Sequence, residues 1–357
     1  HVRSLRLRHL TGAHGGVDLR RAAHPRVHRL TADDEPHAPV SDLPRNPGEP
    51  LDLERVRAIR VNKSAAERRA ATIPTRRTVK KEWQAAWLLR AITLMDLTTL
   101  SGDDTAGNVR RLCAKARHPL RPDLVEALGV GHLVPTVAAV CVYHQLVPTA
   151  VAALAGSGIP VAAVSTGFPA GLSPFTQRVE EIGASVTAGV REIDVVITRG
   201  HVLTGHWEAL YDEVRAFRAA CGEAHLKVIL ATGELATLSN VARASWVAMQ
   251  AGADFIKTST GKEGVNATLP VSLAMVRQIR EYRERTGYCV GYKPAGGIRT
   301  ARQAIEFLLL MNEELGREWL EPHLFRFGAS SLLTDIERQL EMFVTGRYAA
   351  AHHHPMP

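Results

Sequence analysis

Cysteine is scarce: the four in 357 residues stand at 113, 141, 221 and 289, and no two form a CxxC pair. A zinc ribbon, a dithiol redox site and a disulfide scaffold are thereby excluded, and a reducing cytoplasm is the expected compartment. A membrane span needs about 20 consecutive apolar residues. The candidate, 133–177, has no Asp, Glu, Lys or Arg, but Pro135, Pro148, Pro160 and Pro169 interrupt it. Each proline falls at an element boundary, which predicts two buried strands with a short helix between them. No apolar signal-peptide core follows the Arg-rich start, no GxGxxG follows the first predicted strand, and no internal repeat stands out. The reading is a soluble protein with no membrane partner.

Strong charge is missing where a nucleic-acid partner would need it. Of the net +8, residues 1–30 hold +6, from seven Arg and one Asp, so the rest of the chain carries only +2. That leader lacks aromatics and periodicity, which reads as a poorly ordered tail rather than a nucleic-acid arm. Residues 31–50 hold five prolines among Asp, Glu, Asn and Gly, a composition predicted to bury nothing. Residues 1–50 are therefore read as a basic, Pro-rich leader. The chain opens on His1 and its first methionine is Met95, which leaves the native start open.

What is present is a rhythm. The runs at 51–60 and 80–92 have apolar stripes at helical spacing, so 51–91 reads as an N-terminal helical extension packing on the main domain. β-rich runs then fall at 92–97, 137–142, 161–165, 192–198, 226–231, 254–258, 289–293 and 324–328. Amphipathic stretches lie between and after them, at 103–117, 176–189, 206–220, 238–250, 272–285, 301–315 and 331–344. Eight βα units in roughly 250 residues predict a closed (β/α)8 TIM barrel over 92–345 rather than an open doubly wound sheet. Residues 346–357, with His352, His353 and His354, read as a flexible tail.

Active sites of such barrels lie at the C-terminal ends of the strands. Three charged residues interrupt apolar strands there: Asp194 in EIDVVIT, Lys257 in DFIKTSTGK and Lys293 in VGYKPAGGIRT. Two lysines and a carboxylate meeting at one mouth is what imine chemistry requires. An amine of pKa about 10.4 is nucleophilic in only about one molecule in 2,500 at pH 7, and burial beside a second ammonium lowers that pKa. The carboxylate would shuttle protons. Lys227, a fourth charged strand residue, is assigned a structural pairing with Glu192 or Glu234. Asp96 and Thr98 end the first strand and suit a substrate hydroxyl, while Asp103 and Asp104 read as caps of the next helix.

The last two strands carry a predicted phosphate cradle: Gly296 and Gly297 after the seventh, then Gly328, Ser330 and Ser331 after the eighth, opening the final helix. Ser330 and Ser331 have plain N-capping as the alternative role. Lys262, after the sixth strand, would add a point charge. The 16 histidines cluster in leader and tail rather than at strand ends, which disfavours a metal mechanism. Cys141 reads as a buried core thiol.

Six segments in order carry a resemblance: LMDLTTLSGDDT (94–105), STGFPAG (165–171), EIDVVI (192–197), GADFIKTSTGK (252–262), VGYKPAGGIRTARQA (290–304) and FGASSLLTDI (327–336). They resemble the deoxyribose-phosphate aldolases, and VKKEWQAAWLLRAITLMDLTT (79–99) is similar to the longer, animal-type branch. The resemblance implies a class I aldolase without metal or organic cofactor. Such an enzyme cleaves 2-deoxy-D-ribose 5-phosphate reversibly to D-glyceraldehyde 3-phosphate and acetaldehyde. By motif, it implies Lys257 as the Schiff-base lysine, Lys293 as the lysine that perturbs it and Asp194 as the acid/base carboxylate. It places the phosphate against Gly296, Gly297, Gly328, Ser330 and Ser331 with Thr260 and Lys262 near, and the sugar beside Asp96 and Thr98. Some relatives lay a C-terminal tyrosine over the phosphate; here Tyr348 is nine residues from the end. The partners expected are small phosphosugars and aldehydes, with a homodimer as the assembly. Two other readings are an isomerase or epimerase with Asp194 as base, and a non-catalytic barrel whose leader binds nucleic acid.

Overall fold

Alternation of side chains along each strand, with both faces buried, builds eight parallel strands: β1 Met95–Thr98, β2 Ala139–Tyr143, β3 Val161–Ser165, β4 Glu192–Val196, β5 His225–Ile229, β6 Phe255–Lys257, β7 Gly291–Lys293 and β8 Phe327–Ala329. The computed structural model describes residues 44–75, 79–133, 135–354 and 356. β1 to β7 pair in chain order, and β1 also pairs with β8. The ring closes where Tyr292 bridges Phe325 and Ala295 bridges Gly328, with the Tyr292 amide donating to the Leu324 carbonyl at 2.8 Å. This is the (β/α)8 barrel that the strand rhythm predicts.

Outward residues such as Ile193, Val195, Leu226, Val228, Ile256 and Tyr292 join one continuous apolar core with the surrounding helices. Around the strands run α1 Leu53–Ala58, α2 Lys63–Thr75, α3 Glu82–Thr93, α4 Ala106–Arg117, α5 Pro122–Leu128, α6 Val147–Leu154, α7 Phe175–Thr187, α8 Arg199–Leu203, α9 Trp207–Cys221, α10 Leu238–Gln250, α11 Leu269–Thr286, α12 Ala301–Glu314 and α13 Ser331–Thr345. α6 is the short helix expected between the strands of 133–177. Threonine starts four of the major helices: Thr105, Thr237, Thr268 and Thr300 each accept a hydrogen bond from the third helical amide, satisfying a donor the helix cannot. α1 packs on α9 and α10, α2 on α11 and α12, and α3 on α12 and α13. Among the described residues no helix is long and apolar enough to cross a membrane.

Several expectations need correction. The first strand starts at Met95, not Ile92, because Ile92 and Thr93 complete α3. Thr105, not Asp103 or Asp104, caps α4; Asp104 braces the preceding loop, accepting from Thr99 Oγ1 at 2.8 Å and the Ser101 amide at 2.9 Å. α2, α5 and α8 escape the periodicity reading. Residues 1–43, and with them most of the leader, lie outside the described residues. Residues 44–50, predicted to bury nothing, strap the chain across the turn between α10 and β6. Asn46 is 2% exposed. Its side-chain amide donates to the Met249 and Ala253 carbonyls at 2.9 Å each, and its backbone amide to Asp254 Oδ1 at 2.8 Å. Gly48 takes φ +71°, and a Cβ there would lie 2.4 Å from the Gln250 carbonyl. Nor is His354 part of a free tail: it is 1% exposed, with Nε2 2.7 Å from Glu341 Oε2.

Candidate active site

The inward faces of the strands carry charge instead of the branched aliphatic layers usual in such barrels. Register sets the charges side by side: Asp194 lies across from Lys227, and Lys257 across from Lys293. Side chains close a ring of alternating sign. Arg326, just before β8, donates through Nη1 to Asp96 Oδ1, whose other oxygen accepts from Lys293 Nζ at 2.5 Å. Lys293 also donates to Asp194 Oδ2 at 2.8 Å. Asp194 Oδ1 accepts from Lys227 Nζ at 2.9 Å, and Lys227 reaches Glu192 Oε2 at 2.5 Å. Glu192 Oε1 returns to Arg326 Nη2 at 2.8 Å. Three cations and three carboxylates alternate, all buried. Lys257 hangs from this ring by one bond, its Nζ donating to Asp194 Oδ2 at 2.8 Å.

The electrostatics separate the three lysines. Burial pushes each carboxyl up, but the cations reverse it. Arg326 and then Lys293 hold Asp96 below the ordinary carboxylate range, Arg326 and Lys227 do so for Glu192, and Lys227, Lys257 and Lys293 hold Asp194 well below it. Burial likewise pushes every lysine down. At Lys227 and Lys293 the facing carboxylates more than offset this and raise the ammonium pKa. At Lys257 burial prevails over Asp194, reinforced by Lys293, and the amine falls below its usual pKa. One oxygen of Asp194 serves both Lys257 and Lys293, so a second full ammonium there would leave the buried cluster with excess positive charge. Lys257 is the amine most easily left neutral.

A pocket of about 260 Å³ opens above it, and of the three lysines on the ring or joined to it only Lys257 lines the wall. The remaining lining comes from the ends of β1 and β8 and the loops after β1, β6, β7 and β8, and includes Thr98, Thr260, Lys262, Gly296, Gly297, Gly328, Ser330 and Ser331. Gly296 (φ +80°) and Gly297 (φ +83°) take left-handed conformations, and a Cβ on Gly296 would meet the Asn266 side chain at 2.6 Å. Thr258 locks the neighbouring backbone, its Oγ1 donating to the Ala295 carbonyl at 3.2 Å and accepting from the Ala295 amide at 3.0 Å. Glu263 holds the turn after β6, accepting from the Thr260 and Gly261 amides. Ser330 stands at the N-cap of α13 but makes no side-chain cap bond, so its hydroxyl is not engaged in the capping role. The two glycine turns and the start of a 15-residue helix give backbone donors suited to an anion.

The family model for DeoC/LacD family aldolases matches residues 90–334, which include all eight strands. The chain belongs to the DeoC/LacD aldolases. It is 61% identical over 313 residues to the deoxyribose-phosphate aldolase of Homo sapiens, covering 87% of this chain and 98% of the relative. It is 62% identical over 311 residues to that of Mus musculus, with the same coverage. In fold it is similar to the deoxyribose phosphate aldolase from Aeropyrum pernix, with a TM-score of 0.52 at 23% identity, over 74% of this chain and 93% of that one.

Within this DeoC/LacD aldolase, the structure brings Lys257, Lys293 and Asp194 together and sets Thr98, Thr260, Lys262 and the glycine and serine positions on the pocket wall. Asp96 is not on that wall. It is fully buried, with its carboxylate held by Arg326 and Lys293. Lys227 pairs with Glu192 and reaches Asp194; Glu234 instead meets Arg199 at 2.6 Å. Tyr348 lies along α13, donating to Asp335 Oδ1 at 3.1 Å beneath the Arg338 guanidinium, and does not line the pocket. Sequence reading misses Arg326 and Thr258. Arg326 had a signal: it shares strand parity with Gly328, so a charge at that position points inward.

Proposed function

We propose that this aldolase cleaves 2-deoxy-D-ribose 5-phosphate reversibly to D-glyceraldehyde 3-phosphate and acetaldehyde through a Schiff base on Lys257. The observation that carries the reading is that the lysine facing the pocket is also the one whose amine is pushed down. Neutral Lys257 adds to the C1 aldehyde of the open-chain sugar and expels water, giving an iminium that serves as an electron sink. The C3 hydroxyl proton leaves through a water that Asp194 assists as the C2–C3 bond breaks, and the enamine left on Lys257 is protonated at C2 and hydrolysed to acetaldehyde. Asp194, held strongly acidic by three lysines, relays that proton rather than keeping it. Phosphate binds at the mouth against Gly296, Gly297, Gly328, Ser330 and Ser331, with Lys262 and Thr260 beside it and Thr98 toward the sugar.

The names of the relatives, and the glycine turns and helix start on the pocket wall, support this substrate. An isomerase using Asp194 as sole base fits less well, because a fully buried carboxylate engaged by three lysines has little basicity left. The test is acetaldehyde with borohydride, then intact mass and peptide mapping. An ethyl adduct on Lys257 is expected; a folded protein left unmodified would overturn the assignment.

A further inference from the structure

Catalysis through Lys257, Asp194 and Lys293 leaves four members of the buried ring, Arg326, Asp96, Glu192 and Lys227, without a role. Arg326 and Glu192 are both buried, neither lines the pocket, and each lies two residues before an inward residue nearer the mouth, Gly328 on β8 and Asp194 on β4. Burying an extra ion pair is seldom worth its desolvation for stability alone. Its placement here is specific. Arg326 connects to Asp194 by two routes, through Asp96 and Lys293 and through Glu192 and Lys227, and Asp194 is the group from which Lys257 hangs. With Lys257 uncharged, the seven groups carry three positive and three negative charges. Protonating Lys257 breaks that neutrality.

Resting on the Schiff-base reading, we infer that Arg326 and Glu192 are positioning residues that keep Lys257 a free amine by completing a neutral ring beneath it. Removing Arg326 leaves a net negative cluster that is neutralised when Lys257 takes up a proton. Removing Glu192 leaves a net positive cluster that resists that proton further. The two losses therefore act with opposite sign and cancel when combined, which a simple packing defect would not do.

The other groups facing these residues do not blur the sign. Lys257 faces Asp194 on β4, Lys293 on β7 and Cys141 on β2, whose thiol is raised by burial. Arg326 and Glu192 also face Lys227 and His225 from β5. Burial pushes His225 down to about 3, and its Nε2 lies 2.8 Å from Arg45 Nη1, so it stays neutral across the working range.

The experiment is the pH dependence of kcat/KM for retro-aldol cleavage by the full chain, with borohydride mapping of the acetaldehyde adduct in each variant. The acid limb of that profile reports the free enzyme's amine. Arg326→Met is expected to move it about one pH unit to the alkaline side, Glu192→Gln about as far to the acid side, and the double variant back to the starting position. Arg326→Lys, which keeps the charge, is expected to hold it in place. Should Arg326→Met fail to fold, the shift in Glu192→Gln and its reversal in the double variant carry the test. Adducts that still map to Lys257, with both single variants moving the limb the same way or not at all, would overturn the inference alone. No adduct in the unaltered chain would overturn the Schiff-base reading, and the inference with it.

Discussion

Ile256 and Lys257 are neighbours on β6 and live in opposite environments. Ile256 points outward into the apolar core between strands and helices, whereas Lys257 points inward to hang from a ring of six charges. The same division runs around the barrel: Ile193 and Val195 against Glu192 and Asp194, Leu226 and Val228 against Lys227, Tyr292 against Lys293. Only the β2 and β3 walls are apolar inside, where Cys141, Ala162 and Val164 form a small separate cluster. Stability comes from the outer layer, because apolar burial is favourable and buried ion pairs barely break even. The outer layer thus supports an interior whose arrangement serves proton and charge placement.

Substitutions at these two neighbours have the largest expected effects, and of opposite kinds. Lys257→Ala is expected to lower turnover on the order of 10³-fold or more while the protein stays folded. Its melting temperature is expected to hold or rise. The folded-state pKa of Lys257 is depressed, so at pH below the unfolded value near 10.4 the folded state binds this proton less readily, and the residue costs stability at neutral pH. Ile256→Ala is expected to do the reverse, destabilising by about 2–5 kcal/mol through lost burial and a cavity, with kcat per folded molecule little changed. Thermal melts and active-site titration measure both. A Lys257→Ala protein that melts far earlier, or an Ile256→Ala protein that loses turnover without losing stability, would show that the two faces are not separable.

Most of the barrel was legible because alternation with period two reports which face a residue takes, and strands buried on both sides repeat it clearly. Asp194, Lys257 and Lys293 stood out because a charge inside an apolar strand has few structural excuses. Arg326 did not, sitting one residue outside β8 between two phenylalanines that dominate the pattern. The strap at 44–50 was illegible for a different reason: Asn46 owes its burial to Met249, Ala253 and Asp254, some 200 residues away, and local composition carries no trace of such partners. His354 between Glu337 and Glu341 is the same case at the other end of the chain.

That strap gives a smaller effect, confined to the end of the barrel away from the pocket. Asn46→Ala removes the bonds to two backbone carbonyls and the acceptor for the Tyr282 hydroxyl, which donates to Asn46 Oδ1 at 3.1 Å. Buried groups left unpaired cost about 1–3 kcal/mol. The expected result is a lower melting temperature with kcat and KM unchanged; a changed KM would mean that the closed end communicates with the mouth.

The smallest effect is expected at the mouth itself, where charge placement gives way to backbone donors. Ser330 makes no capping bond within α13, so Ser330→Ala should leave the helix, and therefore the melting temperature, nearly untouched. If its hydroxyl donates to the substrate phosphate, its loss is worth roughly 1 kcal/mol, because the amides of the glycine turns and of α13 remain. That corresponds to about a five-fold rise in KM with kcat nearly constant, the pattern of an interaction made equally in ground and transition states. Acetaldehyde trapping on Lys257 needs no phosphate and should proceed at the unaltered rate, so a loss of trapping would place Ser330 with the reacting carbon instead.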